Sequence, residues 1–366
     1  MQFSFSQEQT ELRAAVRQVL DAECPVAALR GFDGANPAQR SDMARARWHL
    51  LTELGAPGLL VPEGAGGLGL TDVDLVGVLE EAGWAALPEP LLETAGMAAP
   101  TLATLLPAAP AAAALQSLLH GSTFAIGGID VTPRGVTSPT TVSADGRLRT
   151  PRVNGGCDAS IALLACMDPD SGWQLHAVPV ADCTVESTPV LDTTRDLALV
   201  HWPLSADTLL AYGVAAEAIV QLMADRAAAG SAALLIGLAD RMITMASDYA
   251  KERQQFGQPI GSFQAVKHLL ADARIALEFA RPATYRAAWS LATAQPTTSH
   301  DASMAKAMAS DAADRAARVA LQVHGAIGYT WECDLHFFMK RTWALSKAWG
   351  DAATHRQLVL AQATRR

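Results

Sequence analysis

Residues 249–264 read Tyr249-Ala-Lys-Glu-Arg253-Gln-Gln255-Phe256-Gly257-Gln-Pro259-Ile260-Gly-Ser-Phe263-Gln264, and they close one helix and open another. Ahead of them, Leu235, Leu238, Met242, Met245 and Tyr249 recur at alternating spacings of three and four, the seam of a helix packed nearly parallel to its neighbours. Gly257 and Pro259 stop that helix, and a new one starts after Ser262. Two more long patterns follow, Phe263 to about Leu291 with a kink or break expected at Pro282, and Asp301 to Val323; a fourth begins near Asp334. Four helices of this length make a bundle.

Working back from the bundle, the composition changes twice. From about Gly121 to Pro203 helix formers thin out, Asp145-Gly146 signals a hairpin, and IALLAC and WQLHAVPV read as buried or half-buried strands. Before that the chain is helical again: Ser6 can cap a helix with Leu12, Val16 and Leu20 along one face, and Asp42 to Leu54 and Asp72 to Ala82 each open on an acid that suits the helix dipole. Pro88 and Pro90 bar any continuation of the last of these. The expected architecture is mainly α with a central β domain: an N-terminal helical domain over 1–120, a middle β-barrel-like domain over 121–204, and a C-terminal four-helix bundle over 205–366.

A chain of 366 residues, 50% hydrophobic and 18% charged, is long and apolar enough to bury a substantial core. Its 28 basic against 37 acidic side chains give a formal charge of -9, which argues against a nucleic-acid partner. The N-terminus lacks a basic and apolar leader, and apolar runs such as Ala108 to Leu119 are too short to span a bilayer. Cys24, Cys157, Cys166, Cys183 and Cys333 form no C-x-x-C pair, so they read as reduced thiols of a cytoplasmic protein. No histidine pair stands at ligand spacing, so no metal is expected. Gly64-Ala-Gly66-Gly67-Leu-Gly69 satisfies a dinucleotide-binding glycine pattern, but Pro62 and Glu63 sit where its strand should end, which favours a structural loop.

Two stretches carry possible chemistry. At the 249–264 corner, Arg253 offers a guanidinium fork suited to a pyrophosphate beside Phe256, a ring suited to a flat heterocycle; the bland reading has Arg253 answering the helix dipole and Phe256 filling the core. In Leu321-Gln322-Val-His-Gly325-Ala-Ile-Gly328-Tyr329-Thr-Trp331-Glu332, the Gln322 amide can donate and accept near a helix end that Gly325 can terminate in αL geometry. Its bland reading is a capped helix followed by a turn.

Together these stretches resemble the C-terminal bundle of the acyl-CoA dehydrogenase family. FSFSQEQTELR, LTELGAPGLLVPEGAGGLGL and LEEAGWAALPEPLLETAG are similar to that family's N-terminal domain, and LDTTRDLALVHW to the end of its β domain. The resemblance implies FAD at a subunit interface, with Arg253, Gln255, Phe256, Phe263, Gln322 and Gly325 reaching a cofactor held mainly by a neighbouring subunit. It also implies an acyl-CoA substrate and an electron-transfer acceptor.

Departures from the family pattern shape the expected role. FAIGGIDVTPRGVTSPTT does not match the Thr-Glu-Pro-x-x-Gly-Ser-Asp type of stretch that holds the flavin ring in the family. Trp349 stands where the usual basic Glu should be, and the alternative base position falls near Ala227 and Ala228, neither acidic. Asp351 could take the proton or could cap the final helix, and Asp225 lies near the alternative position. WECDLHFFMKR and WGDAATHR look like an actinobacterial branch in which a subunit with the base pairs with a shorter one that has lost it. The resemblance therefore implies a tetramer in which this chain completes the FAD site of a homologous catalytic subunit, acting on an acyl-CoA that includes steroid side-chain thioesters. Two other readings stay open: a self-sufficient dehydrogenase with Asp351 as base, and a catalytically silent scaffold.

Overall fold

The structure is a computed structural model and describes residues 4–364. Six α-helices come first among the described residues: α1 (Gln7–Glu23), α2 (Val26–Gly34), α3 (Pro37–Glu53), α4 (Asp72–Trp84), α5 (Ala99–Thr104) and α6 (Ala109–Leu119). Ser6 caps α1 as expected: its hydroxyl accepts from Gln9 N at 3.1 Å while Gln9 Oε1 accepts from Ser6 N at 3.0 Å, so two otherwise orphaned donors are satisfied together. Helix α3 begins earlier than Asp42, because Asn36 and Gln39 form a second reciprocal cap and Pro37 supplies a first-turn residue with its φ already helical.

Strands follow: β1 (Phe124–Gly127), β2 (Asp130–Thr132), β3 (Gly135–Thr137), β4 (Thr141–Val142), β5 (Leu148–Asn154), β6 (Ile161–Asp168), β7 (Gly172–Pro179), β8 (Thr184–Ser187), β9 (Leu197–Trp202) and β10 (Leu209–Tyr212). Most belong to one sheet of order β10-β7-β6-β1-β5-β9-β8, with β4 on β5 and the path ending on β10 and β8. IALLAC and WQLHAVPV form β6 and β7, an antiparallel hairpin in unbroken register from Ile161↔Pro179 to Asp168↔Gly172. Gly146, at the expected turn, adopts φ 80° between β4 and β5.

The remaining helices are α7 (Gly213–Glu252), α8 (Gln264–Ala292), α9 (Thr298–His324), α10 (Leu335–Lys347) and α11 (Ala352–Ala363), with a two-stranded hairpin, β11 (Gln254–Gln255) and β12 (Gln258–Pro259), between α7 and α8. By length and composition α7 could cross a membrane, but most of its apolar window is buried inside the protein. Helix α8 continues through Pro282. Leu277, Ala280, Thr284 and Ala287 are all buried on either side of the proline, so packing holds the helix together across the one lost hydrogen bond.

Two compact units form, each from separated stretches. One takes the chain up to Gly31, Val76–Leu87 and everything from Ala228. Its core centres on α9, whose alanines 302, 305, 309, 312, 313, 316, 317 and 320 are buried among Leu235, Leu238, Met242 and Leu277, and whose small side chains admit close helix approach. The same unit holds a buried charge network: Glu80 Oε2 accepts from Arg13 at 2.7 Å and Arg281 at 2.8 Å, and Glu81 pairs with Arg13 and Arg17.

The other unit takes Phe32–Leu75 and Pro88–Ala227. Ala125, Val153, Leu164, Val178, Val200 and Trp202 form its sheet core, and a buried ion pair, Arg47 to Glu89 at 2.7 Å, lies among its helices. Residues Leu92–Ala98 form a wholly buried π-helix tied to the sheet by Phe124 N donating to Thr94 Oγ1 at 3.0 Å. The glycine-patterned segment folds as a loop with a short 3-10 turn over Glu63–Ala65. A Cβ on Gly67 would stand 2.2 Å from the Val61 carbonyl oxygen, so close backbone approach accounts for that glycine without a ligand.

Candidate functional site

Helix α7 ends at Glu252, and Arg253 N still donates to Tyr249 O at 2.9 Å. The chain then turns back as a hairpin, Gln254 opposite Pro259 and Gln255 opposite Gln258, closed by Ile260 N donating to Arg253 O at 2.8 Å. Its two central residues, Phe256 and Gly257, have φ of 54° and 81°, the pattern of a type I′ turn. Glycine adopts this freely, whereas phenylalanine does so under strain. Phe256 is 92% exposed, so it does not fill the core between helices; its ring makes a T-shaped contact with Phe263 at 6.1 Å. Arg253 and Gln255 are exposed too, and neither side chain has a hydrogen bond or ion pair among the described residues. The corner therefore presents a guanidinium, an amide and an aromatic ring outward.

A second corner follows α9, where Gln322 is exposed one turn from the end of the helix, its amide unpaired among the described residues. Gly325 caps the helix at φ 63°, ψ −140°, which is not the αL conformation expected for it. That region is essentially open only to glycine, and the chain uses it to pass from α9 straight into a 3-10 turn over Gly325–Tyr329. The two corners are joined. Tyr249, one turn before Arg253, stacks on His324, the residue before Gly325, with ring centroids 4.6 Å apart. His324 is buried, which pushes its pKa down, and Nδ1 lies 2.8 Å from Ala320 O, so this nitrogen carries the proton.

The turn between α10 and α11 is held from beneath by Lys306. Its ammonium, wholly buried, donates to the carbonyls of Leu345 at 3.0 Å, Ser346 at 3.2 Å and Gly350 at 3.0 Å. On this turn Trp349 is buried at φ 58°, its indole Nε1 without a hydrogen-bond partner among the described residues, while its carbonyl accepts from His355 Nε2 at 2.8 Å. Asp351 is the N-cap of α11: its carboxylate accepts from Thr354 N at 2.9 Å and from Lys347 Nζ at 3.1 Å. The hydrogen bond from Thr354 N, with Lys347 adding to it, holds its pKa down to about 2. Asp225, in the other unit, is buried and accepts from Gln221 Nε2 at 3.0 Å, and Ala227 and Ala228 are buried.

Residues 124–141 form β1, the β2–β3 hairpin and the start of β4. Three of their five hydroxyls are turned to internal use: Thr132 donates to Gly135 O at 2.9 Å, Thr140 to Ala165 O at 2.9 Å, and Ser138 to Ala165 O at 3.4 Å, while Thr137 and Thr141 are exposed. No spacing in the sequence announces the Tyr249–His324 stack or the role of Lys306, because both depend on residues far apart in the chain meeting at helix ends.

A helical N-terminal region, a β-sheet and a helical C-terminal region define a recognisable class of oxidoreductase fold. Residues 6–121 match the N-terminal domain model of acyl-CoA dehydrogenases and residues 214–364 match the C-terminal domain model. The chain is 35% identical to acyl-CoA dehydrogenase IpdE2 of Mycobacterium tuberculosis over 328 residues, 86% of this chain and 88% of that protein. Among solved structures, the ChsE4–ChsE5 complex from Mycobacterium tuberculosis has the same fold, with a TM-score of 0.88 over the whole of both chains at 23% identity. A variant of the Tcur3481–Tcur3483 steroid acyl-CoA dehydrogenase gives 0.83 at 26% identity, over 98% of this chain and 99% of that one. The chain belongs to the acyl-CoA dehydrogenase family, whose cofactor is FAD.

Proposed function

We propose that this chain is the base-lacking subunit of a heteromeric acyl-CoA dehydrogenase, and that it completes the FAD site of a homologous catalytic subunit in a tetramer. One observation carries the reading: Arg253, Gln255, Phe256 and Gln322 stand exposed on two corners joined by the Tyr249–His324 stack, while Trp349 and a capped Asp351 occupy the turn where the family keeps its base. The donor set fits FAD. Arg253 would take the pyrophosphate through its fork, Gln255 and Gln322 would hydrogen-bond its polar flank, Phe256 with Phe263 behind it would meet the adenosine side, and Gly325 leaves room for close approach. When bound, FAD supplies the acceptor for the hydride leaving the β-carbon of the acyl group. The α-proton needs a carboxylate, which in this reading comes from the partner. A carboxylate held near pKa 2 and committed to two donors is a weak proton acceptor, which argues against Asp351 as base.

The engagement of Thr132, Ser138 and Thr140 within the sheet supports a flavin shared with, rather than held by, this chain. The pairing of chains in the ChsE4–ChsE5 complex and the word steroid in the description of the Tcur3481–Tcur3483 enzyme support a heteromer acting on a bulky or steroid side-chain acyl-CoA; a cytoplasmic setting and an electron-transfer protein as acceptor complete the proposal. Flavin content decides the matter. The purified chain alone should be colourless, and co-expression with a family member carrying the missing Glu should give a yellow complex that turns over acyl-CoA. A yellow, active preparation of the chain alone would overturn the proposal.

A further inference from the structure

Arg30 lies on α2, and its side chain grips the segment that leads from the second corner into α10. Nη1 donates to Trp331 O at 3.1 Å, Nη2 to Glu332 O at 2.7 Å, and Nε to Asp334 Oδ1 at 2.5 Å. One planar fork thus fixes two successive carbonyls and the residue at the start of α10. Within the segment the described bonds are local, Thr330 N and Thr330 Oγ1 to Ile327 O at 3.0 and 2.8 Å and Cys333 N to Thr330 O at 3.4 Å. Trp331, 69% exposed, is steadied by Lys340 Nζ 4.3 Å from its ring centroid and by a T-shaped contact with His336 at 4.8 Å.

Gly325 lies between two such anchors. On one side the Tyr249–His324 stack holds the end of α9, and on the other the Arg30 fork holds residues 331–334. A glycine at φ 63°, with no neighbour within 4 Å of where a Cβ would be, gives no resistance of its own to reorientation, so its conformation is set by these flanks. We propose that Arg30 is a positioning residue for the flavin-contacting corner: it holds the chain after Gln322 and Gly325 in the one arrangement that meets the cofactor. The inference rests on the assignment of Gln322 and Gly325 to the flavin.

The test uses the full complex with flavin bound and two readouts, amide hydrogen exchange over residues 326–334 and the rate of flavin release. Arg30→Met should raise exchange in that segment and speed release about tenfold, the scale expected from losing charge-assisted bonds. Arg30→Lys should restore little of either, because an ammonium cannot span three acceptors in a fork; full rescue by lysine would mean that charge alone matters and would overturn the proposal. So would faster exchange with unchanged release. Should Arg30→Met not fold, Asp334→Ala removes one leg of the clamp and is expected to move both readouts in the same direction. Gln322→Ala separates the two layers of the argument. If it speeds release and Arg30→Met does not, only the positioning role falls; if neither does, the corner is not a flavin contact and both fall.

Discussion

Tyr249 and His324 stack with 19° between their ring planes, and this single contact ties the end of α7 to the end of α9. Arg253, Gln255, Phe256, Gln322 and Gly325, all proposed to meet the flavin, lie within seven residues of one ring or the other. The stack converts two separate helix ends into one surface.

Tyr249→Leu tests that coupling, since it keeps a large apolar side chain and removes the ring. The loss should be about 0.5 to 1.5 kcal/mol of stability, and flavin release from the complex should quicken although Tyr249 itself touches no flavin in this scheme. Unchanged release by stopped-flow fluorescence would show that the corners act independently.

Arg253→Ala should weaken FAD retention by about 1.5 to 3 kcal/mol, and Gln322→Ala by only about 0.5 to 1.5, because a charged donor to a pyrophosphate outweighs a neutral amide. Equilibrium dialysis of the complex, with circular-dichroism melts as a folding control, gives the order. A larger effect at Gln322 would reverse the ranking argued from charge.

Asp351→Asn should leave flavin reduction by acyl-CoA nearly intact. The amide oxygen still caps α11, and a residue that is not the base costs nothing to the proton transfer. Single-turnover bleaching of the flavin isolates that step. A loss of about a hundredfold or more, with FAD still bound, would make this chain a dehydrogenase in its own right.

Acid should destabilise the unit that holds α10 and α11 through His355. Burial lowers its pKa to about 4, below the ordinary value near 6.5, so the unfolded chain takes up a proton at a pH where the folded chain does not. Stability is therefore full above pH 6.5 and declines as pH falls toward 4, by about 2 kcal/mol between pH 7 and pH 5 from this group. His355→Gln should flatten that part of the profile in urea titrations, while parallel profiles for the two proteins would exclude the histidine as the cause.

Helix boundaries were legible wherever their chemistry is local. Ser6 with Gln9 and Asp351 with Thr354 are caps that a few neighbouring residues define, and the 235–249 seam lies in the bundle core as its spacing implies. Phe256 was less legible, because a count of apolar residues gives a ring the same weight whether it points into the protein or away from it; only the left-handed turn at 256–257 turns it out. At Pro282 the break does not occur, since buried neighbours on both sides outweigh a local breaker. At the candidate site the residue types were readable and their joining was not. Asn36 with Gln39 is an equally local cap.

All five lysines, 251, 267, 306, 340 and 347, lie in the last third of the sequence. Lys251 and Lys347 stand well out in solvent, whereas Lys306 is sealed beneath the α10–α11 turn with its protons committed to carbonyls. An enzyme family that handles thioesters works among acylating agents, and an amine must be unprotonated and accessible to be acylated. Lys306 is not accessible while the turn is closed, so acylation of this lysine would record that the bundle had opened.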